Sequence, residues 1–452
     1  MVYHPSWRGL SFHDQVPTGA TSPRAYLEAC LERIAAHEPV VQAFVTLNIE
    51  GARAAADAAT TRRAAGRPLS PIDGMPIAIK DLIETADMPT QMGCAAYEGH
   101  WPRRDSAMVG ALREAGAIIL GKTVTTELGM SEPGPTTNPW NAAHTPGGSS
   151  SGSAAAVAAG FVPVAIGTQV AGSIIRPAAY CGNWALKPTQ GGIHRGERQG
   201  TSQSTAGPHG NTAEDIWAVA REISSRLGGD PGTPGVMGPM ATPAPRRPMR
   251  LAIMRTECWP RIDATSQAAF ERFVRSLDVE ILWPEDHPLL AALERALSQA
   301  MAIGTRITAF ENRWAYRSLP RDKISARMRA RLDASATATA DDYASLLAER
   351  AAMRAAHAAI APLADALIAP ACPGPAPLWN PQAPDAAANP RPTGDPSCNA
   401  GTSALGCPAV TLPMLAVGGL PMGVQLIGQP HQDAQMLALA RWLHAAAAPV
   451  AM

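Results

Sequence analysis

The chain has 452 residues, of which 46% are hydrophobic and 17% charged, with 38 Lys and Arg balanced against 38 Asp and Glu. This length and apolar content suffice for a large core, in one big domain or two ordinary ones. The zero net charge offers no attraction for nucleic acid or membrane phosphates, so we expect a small-molecule partner. Since no apolar run of about 18 residues and no secretory signal pattern is seen, we expect no membrane span and a cytoplasmic protein.

The cysteine and histidine patterns point away from disulfides and metals. Seven cysteines are scattered along the chain without a Cys-x-x-Cys pair, which favours reduced thiols in a cytosolic protein. The eleven histidines show no His-Glu-x-x-His or other ligand spacing. We therefore expect no metal site and no cofactor.

Helices and strands alternate through the first half of the chain. The first helix begins at Ser22, because a hydroxyl cap followed by proline is a typical helix start. The further elements expected here are an alanine-rich helix within 41–66, a buried strand 77–79 that ends at Lys80, a helix 106–115, a strand 117–122, a helix 153–159 and a strand 161–167.

The second half begins with a linker and ends with strands and a helix. The expected order is a Gly- and Pro-rich linker 228–248, a strand 251–254, helices within 262–365, a proline-rich loop 370–396, strands 409–413 and 423–428, and a helix 433–446. Strands that alternate with helices predict an α/β layer structure.

The glycine- and serine-rich segment 147–152 allows three interpretations. A phosphate loop would need Gly-Lys-Ser/Thr at its end, but Gly152 is followed by Ser153 and Ala154. A nucleophile elbow matches Gly148-Ser149-Ser150-Ser151-Gly152, yet it needs a buried strand immediately before it. The preceding residues are polar and turn-like. We favour a serine-bearing entrance to a helix.

A second serine loop and a single lysine complete a candidate catalytic set. Ser173 follows three residues whose amides could bind an oxyanion, Val170, Ala171 and Gly172. Ser173 would be the nucleophile, and it needs a base to take its proton. No histidine lies near either loop, so we expect Lys80, with its pKa lowered by apolar surroundings. Ser149 would relay the proton and Ser150 would orient the lysine. Each motif taken singly is more often a helix entrance or a solvated strand end.

These residues resemble the amidase signature family. The resemblance rests on Gly147–Ser153, Gly167–Ser173 and Cys181–Pro188 and extends from about residue 21 to Gln425. It implies a Ser–cisSer–Lys triad of Ser173, Ser149 and Lys80, with an unusual peptide geometry next to Ser149. It also implies one α/β domain over 1–452, with a mixed central sheet covered by helices on both sides. The signature core would span about 70–215, a more variable region 228–400, and closing elements 405–446.

Within the family the chain looks most like malonamidase-like amidases. In those enzymes the arginine three residues after the nucleophile binds a substrate carboxylate, which implies this role for Arg176. A guanidinium can grip a carboxylate with two hydrogen bonds, although internal pairing with an acidic side chain is the alternative. We also expect Gln169 to contact substrate. Two departures from the family, Ala171 for glycine and Val170 for threonine, could alter the loop.

We weigh four functions for these residues. The first is an amidohydrolase that cleaves a small linear amide, carboxylate-bearing or malonamate-like, through an acyl-enzyme and acts as a homodimer. The alternatives are the ammonia-generating subunit of a glutamyl-tRNA amidotransferase-like complex and an aryl acylamidase of broad specificity. The residues argue against the fourth, a non-catalytic binding protein, which would have no use for Lys80, Ser149 and Ser173 together.

Overall fold

The computed structural model describes residues 3, 9–130, 132–196, 201–379, 389 and 391–452. Its helices are α1 Pro23–Val41, α2 Ile49–Ala64, α3 Ala107–Glu114, α4 Ser151–Ala158, α5 Ile175–Cys181, α6 Ala213–Leu227, α7 Ala264–Arg275, α8 Pro288–Leu297, α9 Ala300–Arg317, α10 Ala326–Ala334, α11 Ala340–Ala359, α12 Ser397–Leu405 and α13 Asp433–Ala446. Its strands are β1 Phe44–Leu47, β2 Pro76–Lys80, β3 Ile118–Thr123, β4 Val164–Gln169, β5 Trp184–Lys187, β6 Thr205–Gly210, β7 Arg250–Ile253, β8 Glu280–Leu282, β9 Ala366–Pro370, β10 Ala409–Val417, β11 Leu420–Ile427 and β12 Val450–Ala451.

The described strands form one mixed sheet. Eleven of them follow the order β1-β3-β2-β4-β6-β5-β10-β11-β9-β7-β8, and β12 pairs with β10. The strand β2 lies between β3 and β4 and is parallel to both. Parallel neighbours present their carboxyl ends at the same edge of a sheet, which is where α/β proteins place their sites. The end of β2, at Lys80, is therefore close to the end of β4, at Gln169.

Both faces of the sheet are buried, each against its own set of helices. Along β2, Ile77 and Ile79 join one apolar cluster, together with residues of α3 and α6. Ala78, which points the other way, joins a second cluster with residues of α1, α2 and α4. A strand that is buried on both faces has a continuous apolar sequence. The expected α/β domain with a mixed, two-sided sheet is thus confirmed.

Local signals predicted some element boundaries well and others poorly. The first helix starts as expected, since the Ser22 hydroxyl accepts a hydrogen bond from the Ala25 amide, and α13 has the predicted bounds. Within 41–66, the apolar stretch forms the strand β1 and the helix begins only at Ile49. The strand β4 begins three residues later than predicted, directly after Pro163, which lacks the N–H that a ladder needs.

Other expectations from the second half need correction. Cys258 and Cys398 form a disulfide across 140 residues, so the prediction that all seven thiols are free was wrong. The proline-rich stretch 370–396 follows the end of β9, and its residues 380–388 and 390 lie outside the described part. Most of the first eight residues, where no signal was seen, lie outside it too. None of the described helices is long and apolar enough to cross a membrane.

Candidate active site

Lys80 ends β2 inside the protein, at the carboxyl edge of the sheet. Its side chain is fully buried, and burial holds the pKa of its amine well below the ordinary value. The three side chains around its Nζ atom are hydroxyls: Ser149 Oγ at 2.7 Å, Thr168 Oγ1 at 2.9 Å and Ser150 Oγ at 3.0 Å. A buried amine with only neutral partners favours its neutral form, which can accept a proton.

Asp81, the residue that follows Lys80 in the sequence, pairs with a different lysine. Asp81 Oδ1 lies 3.0 Å from Nζ of Lys122, and both side chains are buried. Lys122 Nζ also donates to the Thr90 hydroxyl at 2.6 Å. The negative charge of Asp81 is therefore held by Lys122, and Lys80 keeps its neutral surroundings.

Ser149 and Ser150 reach Lys80 from the entrance of α4. The peptide bond between Gly148 and Ser149 is cis, which is the unusual geometry that the family resemblance implied at this position. The Ser150 hydroxyl donates to the Thr168 carbonyl and accepts from the Thr168 amide, both at 3.2 Å. Ser150 therefore joins the start of α4 to the end of β4 and orients the surroundings of Lys80.

Ser173 stands on the loop that joins β4 to α5. Its side chain is half-buried and faces a cavity. No hydrogen bond joins its hydroxyl to another side chain in the part of the chain that the structure describes. The hydroxyl is thus accessible to a molecule in the cavity, as a nucleophile must be.

The carbonyl groups of this loop are each held from outside. The Gln203 amide donates to the Val170 carbonyl at 3.0 Å, and the Ser403 hydroxyl donates to the Ala171 carbonyl at 2.9 Å. The Gly172 carbonyl accepts from the Arg176 amide at 2.9 Å. In a trans peptide the C=O and the following N–H point in opposite directions. The amides that follow these carbonyls belong to Ala171, Gly172 and Ser173. Their N–H groups therefore point away from Gln203, Ser403 and the Arg176 amide.

Small residues suit this loop for two separate reasons. A Cβ atom on Gly172 would lie 2.7 Å from Asn399 Oδ1 and 2.8 Å from Arg176 Nη1, so a side chain there would force its neighbours apart. Ala171 does not adopt a positive φ. The alanine that replaces the family's usual glycine therefore needs none of glycine's conformational freedom.

Gln169 fixes the beginning of α5. Its Oε1 atom accepts hydrogen bonds from the Ile174 and Ile175 amides at 2.8 and 3.0 Å, and its Nε2 atom donates to Ser403 at 2.9 Å. Both ends of the amide are thus engaged within the protein. Contact between Gln169 and substrate stays a prediction, and the geometry supports a positioning role instead.

Arg176 is buried and holds backbone rather than a carboxylate. Its Nε atom donates to the Thr393 carbonyl at 2.9 Å and its Nη2 atom to the Gly148 carbonyl at 2.6 Å. Nη1 has no partner among the described residues, and burial lowers the pKa of the guanidinium to about 10. Arg176 thus supports the peptide before Ser149 while one nitrogen remains free beside the Ser173 loop.

Two cavities meet at the loop after β4. One, here called the arginine cavity, has a volume of about 460 Å³ and is lined by Ser173, Gln203, Arg176, Arg306, Arg331 and Arg391 among others. The other, here called the aromatic cavity, has a volume of about 330 Å³ and is lined by Ser149, Thr168, Leu82, Tyr97, Leu128 and Tyr316 among others. Val170, Gly129 and Met130 belong to both walls. Neither wall includes an Asp or Glu among the described residues.

Several residues of this site were not predicted from the sequence. Thr168 could have been found, because it stands in the motif that ends β4, next to the strand of Lys80. Gln203, Ser403 and Arg331 come from segments far along the chain, and no local pattern marks them. Their contribution depends on the tertiary fold, which brings residues such as Ala171 and Ser403, 232 positions apart, into contact.

Comparison with known proteins identifies the family. The amidase family model matches residues 25–437. Among curated proteins, the chain is 41% identical over 239 residues to a glutamyl-tRNA(Gln) amidotransferase subunit of Chloroflexus aggregans, covering 51% of this chain and 48% of that protein. The corresponding subunit of Chloroflexus aurantiacus is 44% identical over 224 residues, covering 48% and 45%. The chain spans about half the length of these curated relatives, and they do not support the expected malonamidase-like subtype.

Solved structures match the fold over nearly the whole chain. A crystal structure of an amidase is 27% identical, covers 96% of this chain and 98% of its own, and has a TM-score of 0.81. A protein from a vestigial complex that reveals the origins of an s-triazine catabolic enzyme is 27% identical, with coverage of 98% and 100% and a TM-score of 0.83. The peptide amidase of Stenotrophomonas maltophilia is 27% identical, with coverage of 96% and 95% and a TM-score of 0.75.

The family match and the shared fold are both consistent with the serine- and lysine-containing site at the carboxyl edge of the sheet. The protein belongs to the amidase signature family.

Proposed function

We propose that the protein hydrolyses a small, carboxylate-bearing linear amide through a Ser–cisSer–Lys triad. The observation that carries this proposal is Lys80, a fully buried amine that lies 2.7 Å from the Ser149 hydroxyl. In its neutral form the amine takes the proton of Ser149, which in turn takes that of Ser173. The Ser173 oxygen then attacks the amide carbonyl and forms a tetrahedral intermediate.

The same groups serve the rest of the reaction, in which the leaving group departs and water hydrolyses the acyl-enzyme. The amides of Val170, Ala171 and Gly172 receive the oxyanion. The held Val170 and Ala171 carbonyls support this role for the next two amides, those of Ala171 and Gly172. Lys80 and Ser149 return the proton to the departing nitrogen, and ammonia or an amine leaves. Water attacks the acyl-enzyme along the same proton path and releases the acid and Ser173.

The charge of the arginine cavity supports a substrate with a carboxylate. Four arginines line the wall that carries Ser173, and its described residues include neither Asp nor Glu. A cavity of one charge attracts and concentrates ligands of the opposite charge. The free Nη1 of Arg176 beside the loop supports a contact with such a carboxylate, although the other guanidinium nitrogens hold Gly148 and Thr393.

Ammonia release from a panel of primary amides tests the proposal. We expect Ser173→Ala and Ser149→Ala each to lower kcat/KM at least about a thousandfold, because the nucleophile and its proton relay act as a unit. Ser151→Ala is the matched control from the same run of serines, since its hydroxyl donates to the Val124 carbonyl at 3.3 Å and not to Lys80. Full activity of Ser173→Ala would exclude the proposed nucleophile.

A second candidate rests on the curated relatives. Their names give subunits of a glutamyl-tRNA(Gln) amidotransferase, so this chain could supply ammonia to a partner. Purification of the chain alone distinguishes the two functions. Turnover of small amides without a partner favours the hydrolase, and activity only with a co-purified second subunit favours the amidotransferase role.

The aromatic cavity supports one further alternative, a broad aryl acylamidase. Its apolar and aromatic lining beside Ser149 suits an aromatic amine. Acyl anilides belong in the same substrate panel for this reason. A cytoplasmic homodimer that needs no cofactor completes the proposal, and sedimentation of the purified protein tests the oligomeric state.

A further inference from the structure

A short turn, residues 201–204, lies between the two cavities. The amide of Ser204 donates to the Thr201 carbonyl at 3.2 Å, which closes the turn. Thr201 and Ser204 line the aromatic cavity. Gln203 instead lines the arginine cavity and donates to the Val170 carbonyl at 3.0 Å. The turn therefore contributes to both cavity walls and holds the β4–α5 loop.

Ser202, the remaining residue of the turn, is bound by a carboxylate of α9. Its amide donates to Oε2 of Glu311 at 2.9 Å, and its hydroxyl donates to Oε1 of the same side chain. The Tyr343 hydroxyl donates to Oε1 as well, at 2.7 Å. Hydrogen bonds to a charged acceptor are stronger than those between neutral groups. The half-buried Glu311 thus fixes both the backbone and the side chain of Ser202.

The helix α9 that carries Glu311 borders both cavities. Its residues on the arginine cavity are Ala300, Met301, Ala302, Gly304, Thr305, Arg306 and Thr308, and those on the aromatic cavity are Asn312, Ala315 and Tyr316. Glu311 stands at the junction of these two groups. A Cβ atom on Gly304 would lie 2.7 Å from Nε2 of Gln203, so the helix and the turn are in close contact there. Glu311 therefore joins the helix that borders both cavities to the turn between them.

We propose that Glu311 is a positioning residue for amide hydrolysis, and that it acts through the turn 201–204 on the loop of Ser173. This inference rests on the proposed function. Glu311 lies outside the described walls of both cavities. Its carboxylate fixes Ser202, and the adjacent Gln203 holds the Val170 carbonyl. The N–H that follows this carbonyl belongs to Ala171, a proposed oxyanion donor. Misplacement of that donor lowers kcat, because the oxyanion develops only as the reaction proceeds.

Glu311→Gln tests the proposal with two substrates, succinamate, a monoamide acid, and butyramide, the neutral amide of the same carbon number. The substituted amide has one acceptor oxygen and points an NH₂ group at hydrogen-bond donors. We expect kcat to fall about 3- to 10-fold for both substrates while KM changes less than about 2-fold. A loss confined to KM, or an unchanged kcat, would overturn the proposal.

Glu311→Asp keeps the charge and both acceptor oxygens on a shorter side chain. We expect it to recover part of the loss, with kcat about 2- to 5-fold below that of the wild type. If Glu311→Gln does not fold, the kinetics of Glu311→Asp decide, and an unchanged kcat in that variant would count against the positioning role.

Glu38→Gln is the matched control. Glu38 is a half-buried carboxylate on α1 that accepts hydrogen bonds from the Ala43 and Phe44 amides at 3.0 and 2.6 Å. The arginine and aromatic cavities are lined by other residues. We expect a similar loss of thermal stability in both glutamine variants, but a kcat within about 2-fold of the wild type in Glu38→Gln alone. Equal falls of kcat would assign the effect to destabilisation and contradict the proposal.

A double variant tests the route through the turn. If Glu311 acts through Gln203, the variant with both Glu311→Gln and Gln203→Leu should have a kcat within about 2-fold of that of Gln203→Leu alone. Losses that multiply would show that Glu311 acts on the reaction by an independent path, and the proposed route would be wrong.

Amide hydrogen exchange separates failure of this inference from failure of the proposed hydrolysis. If the wild type releases ammonia from no amide, the hydrolysis fails but the positioning can still be measured. We expect Glu311→Gln to speed exchange at least about 3-fold in peptides that cover 170–173 and 201–204, and Glu38→Gln to leave both unchanged. Unchanged exchange at 170–173 in Glu311→Gln would overturn the inference, whether or not the protein turns over an amide.

Discussion

The two cavities beside the β4–α5 loop differ in chemistry although they share part of their walls. The arginine cavity carries four guanidinium groups and the Ser173 hydroxyl. The aromatic cavity carries no Lys or Arg among its described residues, and its wall of Leu82, Leu128 and two tyrosines surrounds Ser149. On the proposed function, an acidic substrate would lie across the loop with its carboxylate in the arginine cavity and its nitrogen leaving group in the aromatic cavity.

The largest expected effect comes from Lys80, the proposed base. We expect Lys80→Met to lower kcat/KM at least about a thousandfold for monoamide acids and for anilides alike. Because burial lowers the pKa of Lys80, the neutral amine persists to a lower pH than for a free lysine. In the wild type, kcat/KM should fall as the pH drops through this lowered pKa, and rise to a plateau above it.

Ammonia and aniline release across a pH series measure this effect. A variant that lost only one substrate class would show that the two cavities serve separate centres. A pH profile of the wild type without an acid limb would show that Lys80 is not the base.

An intermediate effect is expected from the side chain that orients the loop between the cavities. Gln203→Leu removes the donor to the Val170 carbonyl at 3.0 Å. We expect kcat to fall about 10-fold for every substrate while KM changes little, since the loss of one direct oxyanion donor costs about 100- to 1,000-fold and this contact is one step removed. Steady-state kinetics on succinamate and butyramide measure it. A loss confined to succinamate would mean that Gln203 binds the acid instead.

The smallest expected effect distinguishes the roles of the two cavities most directly. Leu82→Ala removes apolar surface from the aromatic cavity and leaves the arginine cavity intact. We expect the ratio of kcat/KM for an anilide to that for the corresponding primary amide to fall about 3-fold, in line with the lost apolar contact. Competition between the two amides in one reaction measures the ratio. An unchanged ratio would show that the leaving group does not enter the aromatic cavity.

The sequence predicted those parts of the molecule that depend on local signals. The Ser22 cap, the strand that ends at Lys80 and the closing helix α13 each follow from neighbouring residues, and all are present. Periodicity did not separate β1 from α2, because four residues give too short a pattern. The disulfide between Cys258 and Cys398 joins residues 140 positions apart, which spacing alone does not reveal.

The candidate site was predictable only where its residues share a motif. Lys80, Ser149 and Ser173 were proposed together, and the fold places Lys80 and Ser149 in contact. The internal contacts of Gln169 were not foreseen, because its partners depend on how α5 begins. Arg331 was missed for the same reason, because its place in the wall of the arginine cavity depends on the tertiary fold.

The contacts that hold the catalytic loop have a consequence for how such enzymes diverge. Ser403 reaches the Ala171 carbonyl from 232 residues further along the chain, and Arg176 ties Gly148 to Thr393. Contacts from the distal half of the sequence therefore hold the loop of Ser173, the proposed nucleophile, and the peptide before Ser149. Substitutions near 393 and 403 could adjust turnover in small steps while Ser173, Ser149 and Lys80 stay untouched. Natural variation and laboratory evolution thus have a graded route to new amide substrates.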